Sequence, residues 1–349
     1  MNMVYVFTPV GVVSKRALLL FVSAIGIVSF LGNCLLFYFL WKKTPKRAIQ
    51  SNRFMRNLCM YGKSLSISDI LACAVSLPLF CIQISLDVFQ SGWACKIVRY
   101  SHILFPTVSF NHVTVISLEK YLSVRTVPRT FRVSTVRRVI ICAWILSFVV
   151  VLLPAATFDG LRMDLNDTHY TIVCRYHPDY YPFNITVIVI FPLLYIFPTM
   201  FVTYINVCLL KTVWARKERR FANGVTNAYK AKLRAKSIKG ITLLVALTSA
   251  FIIPYLFYLG NTAYTQLARP QREFTAEYLI RYASGGVAAY ISVLINFMMF
   301  FAQLKSFRVF LRKLFCQRYN GFMHPDIATT NRRAHSQPVD RQNNVGLGE

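Results

Sequence analysis

Acidic residues are scarce in this chain. Thirteen Asp and Glu stand against 40 Lys and Arg over 349 residues, a net charge of +27, while 55% of the residues are hydrophobic. In a soluble domain that excess would point to nucleic acid. Catalytic motifs are missing as well: the chain holds no Gly-x-Ser-x-Gly and no His-Glu-x-x-His. His102, His112, His169 and His177 do not fall at metal-ligand spacing. An enzyme is therefore not expected, nor a metal centre, nor an organic cofactor. Internal repeats and paired broken helices, the marks of many transporters, are also lacking, and there is no low-complexity block.

What the chain does have is seven long apolar stretches: Ala17–Trp41, Ser64–Val88, Cys95–Val124, Arg138–Phe158, Phe183–Val213, Ser237–Tyr264 and Tyr278–Gln303. About 20 helical residues cross a hydrocarbon layer of about 30 Å, so each is long enough to span a membrane. The basic residues sit in every second gap. Lys42, Lys43, Arg53 and Arg56 lie in the first gap, Arg125, Arg129, Arg132 and Arg137 in the third, and Arg216, Lys217, Arg219, Arg220 and Arg234 in the fifth. Asp87, Asp159, Asp164, Asp167, Asp179, Glu273 and Glu277 occupy the opposite gaps. Cytoplasmic loops collect Lys and Arg, which puts the amino terminus outside, the carboxyl terminus in the cytoplasm and the basic face against anionic lipid. The charge is thus explained by position, and nucleic acid is not an expected partner.

The pattern divides the chain into an extracellular amino terminus (1–16), a seven-span bundle (17–303), an amphipathic helix on the inner membrane surface (304–316) and a polar, hydrophobe-poor tail (317–349) read as disordered. Cys316 ends the amphipathic helix, where palmitoylation is expected. Asn166 opens an Asn-Asp-Thr sequon in the longest outer gap and is the expected glycosylation site. Cys34, Cys73, Cys81, Cys142 and Cys208 lie inside spans, whereas Cys95 and Cys174 fall on the outer, oxidising side and can pair.

Ionisable and amide groups within spans are costly, and this chain has several. Asp69 lies mid-way along span two, Asn33 in span one and Asn296 deep in span seven, while span three carries Arg99, His102, Ser109, Asn111 and His112. Together with the motifs around them, these residues resemble the rhodopsin-like (class A) G protein-coupled receptors. Gly32-Asn33 is similar to the span-one signature and Leu65-Ser66-Ile67-Ser68-Asp69 to that of span two. Glu119-Lys120-Tyr121 resembles the Asp-Arg-Tyr region, and Trp144 and Pro254 match the pivots of spans four and six. The resemblance covers all seven spans and the helix after them. It implies an all-α seven-transmembrane bundle in the plasma membrane, a Cys95–Cys174 disulfide, an extracellular small-molecule or peptide ligand, and a heterotrimeric G protein partner. By the same correspondence Glu119, Lys120, Tyr121 and Arg234 belong to G-protein coupling, and His102, Tyr255, Tyr258, Tyr282 and Tyr290 to the ligand pocket. Asn33, Asp69, Ser109, Ser292 and Asn296 would form a polar core able to hold an allosteric sodium ion.

Four departures qualify what the resemblance implies. Lysine replaces the arginine of Asp-Arg-Tyr, keeping the charge and losing the planar fork of donors. Arg234 stands where many relatives have a carboxylate, so Lys120 and Arg234 cannot form a cross-helix salt bridge; elevated basal signalling is expected, with reduced coupling as the rival outcome. Ile252 takes the place of the span-six tryptophan. Asn296-Phe297-Met298-Met299-Phe300 stands for Asn-Pro-x-x-Tyr. The amine-binding aspartate is His102 and the retinal-binding lysine is Tyr290, which argues against a biogenic amine and against a retinal Schiff base.

Overall fold

A computed structural model describes residues 3–7, 10–43, 53–88, 91–124, 129–177, 179, 189, 196–212, 214, 252–254, 256–257, 260 and 274–323. Arg234, Tyr255 and Tyr258 lie outside the described residues. The side chains of Asn166, Tyr282 and Cys316 lie outside them too, although their backbones are described.

Every described span is helical, because a backbone in hydrocarbon must satisfy its own hydrogen bonds. Span one runs Val12–Tyr38 and closes in a π-helical turn, Phe39–Lys43. Span two is Arg53–Leu71, a π-helical turn Ala72–Ser76, and Leu77–Ser85. The wide turn lies just before Pro78, whose ring would clash with the carbonyl four residues back in a regular helix. Span three is Gly92–Val124 and span four Val133–Ala156. Span five is described from Ile196 to Thr212, and span six is helical at 252–254, 256, 257 and 260. Span seven is Phe274–Gln303.

Span one thus begins five residues before Ala17, taking Lys15 and Arg16 into its first turns. The helix after span seven is also longer than expected: it runs Lys305–Met323, beyond the boundary at residue 316. The chain divides into two units, residues 1–305 and 306–349. Within the second, Phe307 and Phe310 stack at 6.3 Å on one side of the helix.

Burial follows the helical period. In span four Ala143, Ser147, Val151 and Ala155 are buried at steps of four, while Ile141, Ile145, Leu146, Val149, Leu152 and Leu153 are exposed. Small side chains on the packed face let helices approach closely, and large apolar ones on the other face suit lipid. Span three is the axis of the first unit, packing on spans two, four and seven and on the outer hairpin.

Among the described residues, that hairpin has no counterpart in the expected architecture. β2 (Phe158–Asn166) pairs antiparallel with β3 (His169–Tyr176) across the Asp167-Thr168 turn. A short amino-terminal strand, β1 (Val4–Tyr5), adds to the other edge of β3 in parallel. Val4 N donates to the Thr168 carbonyl at 2.7 Å, Val6 N to that of Tyr170 at 2.8 Å, and the Thr171 hydroxyl to the Phe7 carbonyl at 3.3 Å. The sequon residue Asn166 sits at the end of β2, opposite His169.

Candidate functional site

The polar residues of span three mark three levels. At the amino-terminal end of span three Cys95 and Cys174 form a disulfide with Cα atoms 5.5 Å apart, joining that helix to β3. Val98 and Phe158 complete a buried cluster around it. Arg99, one turn further in and only 6% exposed, holds its guanidinium 5.3 Å from the Phe158 ring centroid. His102 follows, also buried. Its ring stacks on Phe80 at 5.5 Å and meets Tyr290 edge-on at 6.0 Å. The Tyr290 hydroxyl in turn shares a 3.3 Å hydrogen bond with Ser76, inside the π-helical turn. Gly286 makes room for this shelf, since a Cβ there would lie 3.0 Å from Phe80 Cζ. Of the expected pocket residues, the structure therefore brings His102 and Tyr290 together and adds Phe80 and Arg99.

At the middle level spans two, three and seven meet on Asp69, which is fully buried. Its Oδ1 accepts from Ser109 Oγ at 2.9 Å and from Asn296 Nδ2 at 3.2 Å, while Oδ2 is buried without a hydrogen-bond partner. Ser68 lies beside Ser109 at 3.5 Å and donates to the Phe105 carbonyl at 3.2 Å. Two of the five expected core residues donate elsewhere than to Asp69. The Ser292 hydroxyl donates to the Ala289 carbonyl of its own helix at 2.6 Å, as short hydroxyl side chains in helices do, and no bond joins it to Asp69. Asn33 instead bonds the Ser29 carbonyl at 3.0 Å and the Val293 carbonyl at 3.4 Å, tying span one to span seven.

Trp144 is a junction. Its Nε1–H donates to Ser64 Oγ at 2.9 Å, and Ser64 also bonds His112 Nε2 at 2.9 Å. His112 Nδ1 meets the Val108 carbonyl at 2.8 Å. A carbonyl can only accept, so Nδ1 carries a proton, and in the neutral ring Nε2 then accepts from Ser64. The result is a fully paired chain across spans two, three and four. Asn111 adds a bond to Ser147 at 3.0 Å.

At the carboxyl-terminal end of span three Glu119 turns away from Lys120. Its Oε1 accepts from Asn57 Nδ2 at 2.6 Å and from the Phe131 backbone N at 3.2 Å, and Asn57 also donates to the Phe131 carbonyl at 2.9 Å. The acid thus clamps span two to the loop before span four. The Lys120 ammonium lies 4.6 Å from the Phe54 ring centroid. Tyr121, half-buried, follows it on the last turns of span three. Neither Asn57 nor Phe54 was singled out from sequence; a buried amide at the inner end of span two was the available signal.

The altered motifs have packing partners. A Cβ on Gly32 would lie 3.0 Å from the Phe297 ring, and one on Gly62 would lie 2.7 Å from Phe300 Cε1. Glycines in spans one and two therefore accept the phenylalanines that replace proline and tyrosine. On span six Ile252 is buried, Ile253 exposed and Pro254 half-buried, so Ile252 takes the inward face.

A heptahelical bundle with a disulfide at the start of span three, an acidic mid-bundle core and an Asp-Arg-Tyr-like sequence at the end of that span describes a class of membrane receptor. The chain belongs to the rhodopsin family of seven-transmembrane receptors, whose family model, "7 transmembrane receptor (rhodopsin family)", matches residues 32–296. It is therefore a multi-pass membrane protein built on a helical bundle, of a receptor family and not an enzyme family. It is 24% identical to the RYamide receptor of Tribolium castaneum over 251 residues, 67% of this chain and 64% of that protein. It is 30% identical to 5-hydroxytryptamine receptor 4 of Cavia porcellus over 123 residues, 35% of this chain and 30% of that protein. The chain thus spans from 30% to 64% of the length of these curated relatives. The crystal structure of squid rhodopsin shares the fold, with a TM-score of 0.64 at 16% identity, covering 92% of this chain and 93% of that one.

Proposed function

We propose that this protein is a plasma-membrane receptor, its amino terminus outside, that binds a small molecule or a peptide in the outer half of the bundle and passes the signal to a heterotrimeric G protein. The observation that carries this reading is the meeting of spans two, three and seven on one half-satisfied carboxylate. Asp69 Oδ2 is buried without a partner, an arrangement that suits a cation or a proton and is costly with neither. The oxygen donors around it, Asp69 and Ser109 with Ser68 beside them, fit a hard cation such as sodium. An occupied core holds the three helices together, and an emptied one frees them to repack. Ligand binding above and G protein binding below then select between two packings of the same helices.

The inner end supplies the second half of the reading. Lys120, with Tyr121 after it, lies at the end of span three beside the loop held by Glu119, and the basic inner face adjoins anionic lipid. Nucleotide exchange on purified heterotrimeric G protein, catalysed by the receptor in vesicles and screened against a peptide and metabolite library, tests the whole. Basal exchange above that of G protein alone is expected, rising with ligand; no exchange with any ligand and any G protein class would overturn the reading. For the core, sodium should raise the unfolding temperature over equimolar potassium in the unaltered receptor and not in Asp69→Asn. Equal behaviour in both proteins would remove sodium from the account.

A further inference from the structure

The first acidic residue of the chain is Asp69, and the seven cations from Lys42 to Lys63 have no acid among them. Lys63 is set deepest, ten residues into span two and about 15 Å along the helix. An ammonium at that depth is costly without a counter-charge. Its Nζ rests 5.3 Å from the Trp41 ring centroid, at the end of span one, and it forms no hydrogen bond or ion pair with another described residue. A ring face attracts the charge and leaves N–H donors for an anion. The carboxylates of spans two and three face elsewhere: Asp69 accepts from Ser109 and Asn296, and Glu119 from Asn57 and the Phe131 backbone. Arg56 falls on the same face of span two, seven residues before Lys63, and its Nε is buried without a hydrogen-bond partner. Trp41 is 61% exposed, and steps of three and four residues carry its face of span one back through Tyr38, Leu31 and Ile27, all exposed. A cation at the foot of an exposed apolar stripe matches a phospholipid, with phosphate at one end and an acyl chain along the other.

We infer that the groove where Trp41 meets Lys63 binds an anionic phospholipid of high headgroup charge, of the phosphorylated inositol class, with its phosphates on Lys63 and the cations beside it and an acyl chain along the span-one stripe. The choice follows from charge. A choline headgroup offsets its own phosphate and neutralises nothing, a serine headgroup brings one net charge, and a phosphorylated inositol brings several to a segment that holds seven cations and no acid. A free inositol phosphate matches the charge and not the apolar stripe, so the lipid is the source. The inference deepens the reading above, which set the basic face against anionic lipid in general, by naming where one lipid is held. It rests on the membrane-spanning bundle and not on a ligand or a G protein.

The test uses the full chain purified in phosphatidylcholine nanodiscs, with phosphatidylinositol bisphosphate or phosphatidylserine added to both leaflets. Ligand and G protein are left out, so a failure of signalling is separate from a failure of lipid binding. Retained lipid is counted by native mass spectrometry. The bisphosphate should be retained over phosphatidylserine, and phosphatidylserine over phosphatidylcholine. Lys63→Gln should weaken retention of the bisphosphate about five-fold, Trp41→Leu about two- to five-fold, and Lys63→Arg should keep it. Arg137→Gln removes the same charge from an exposed position at the start of span four and should leave retention as in the unaltered protein. Soluble inositol trisphosphate, a headgroup without acyl chains, should not compete. Equal retention of the three lipids, equal loss in Lys63→Gln and Arg137→Gln, full retention in Trp41→Leu, or competition by the soluble headgroup would each overturn the inference. Trp41 is exposed, so its replacement reads the site even where a change at Lys63 disturbs folding.

Discussion

Replacing Gly62 by alanine sets two known effects against each other at one position. In a helix interior the change is favourable by about 0.8–1.0 kcal/mol. Here the new methyl would lie 2.7 Å from Phe300 Cε1 and 3.0 Å from both Phe300 Cζ and Leu40 Cδ1. Carbon atoms rest at about 3.5–4.0 Å, so the ring would have to retreat by roughly an ångström. Phe300 is 1% exposed and Leu40 2%, leaving the ring little room to do so. Overpacking of this kind costs about 1–3 kcal/mol, so a net loss of about 1 kcal/mol is expected. Shortening Phe300 removes the closest contact and leaves the helix term set against only the 3.0 Å approach of the end of the Leu40 side chain, which has to give by a few tenths of an ångström. In a Phe300→Leu background, Gly62→Ala should therefore stabilise by up to about 1 kcal/mol. The signature is a change of sign, a coupling of up to about 2 kcal/mol between the two positions. Thermal unfolding of the four purified proteins, at roughly 2 °C per kcal/mol for a chain of this size, reads it directly. Additivity of the two substitutions within about 0.5 kcal/mol would refute the proposed packing of Phe300 on Gly62.

Other perturbations follow from the same contacts. Ser64→Ala removes the group shared by Trp144 and His112; at about 0.6 kcal/mol per membrane hydrogen bond, two lost bonds should lower the unfolding temperature by a few degrees, and no change would dissolve the junction. Phe54→Leu keeps the bulk against Lys120 and removes the ring face, so basal nucleotide exchange should rise about two- to five-fold, the equivalent of about 0.5–1 kcal/mol. Phe54→Trp should lower it, and equal rates in all three proteins would exclude the ring as a restraint. Cys95→Ser opens a link between residues 79 apart, worth about 4.5 kcal/mol by loop entropy. Surface expression and ligand binding should both fall, and normal levels of both would contradict the structural role given to the disulfide.

Much of this architecture is written in patterns that a single sequence displays. Spans in lipid must be long, apolar and helical, so runs such as Arg138–Phe158 announce themselves without tertiary information. Asp69 and Asn296 stand out because a polar group in hydrocarbon needs a reason. Contacts set by the rotation of one helix against another are of a different kind. Ser292 has the right chemistry for the Asp69 core, yet its hydroxyl is taken by its own backbone at Ala289. Glu119 has a cation as its neighbour in sequence, yet its side chain leaves toward Asn57 and Phe131. The aromatic shelf around His102 depends on Gly286 and on a π-helical turn, neither of which alters hydropathy. The hairpin was legible in principle: Phe158–Asn166 and His169–Tyr176 flank an Asp-Thr turn, and Thr171, Ile172 and Val173 favour strands. An expectation built on membrane spans alone does not look for a sheet.

The third strand of that sheet ties distant parts of the chain into one mechanical series. Val4 and Tyr5 hang on β3, β3 is bolted through Cys174 to Cys95, and Cys95 crowns the same helix that carries Arg99, Asp69's partner Ser109, and Lys120. Val4 and Tyr5 are consequently a handle on the long helix of span three. Trimming or tagging them is a perturbation of the transmembrane machinery itself, to be designed with the same care as a substitution in its interior.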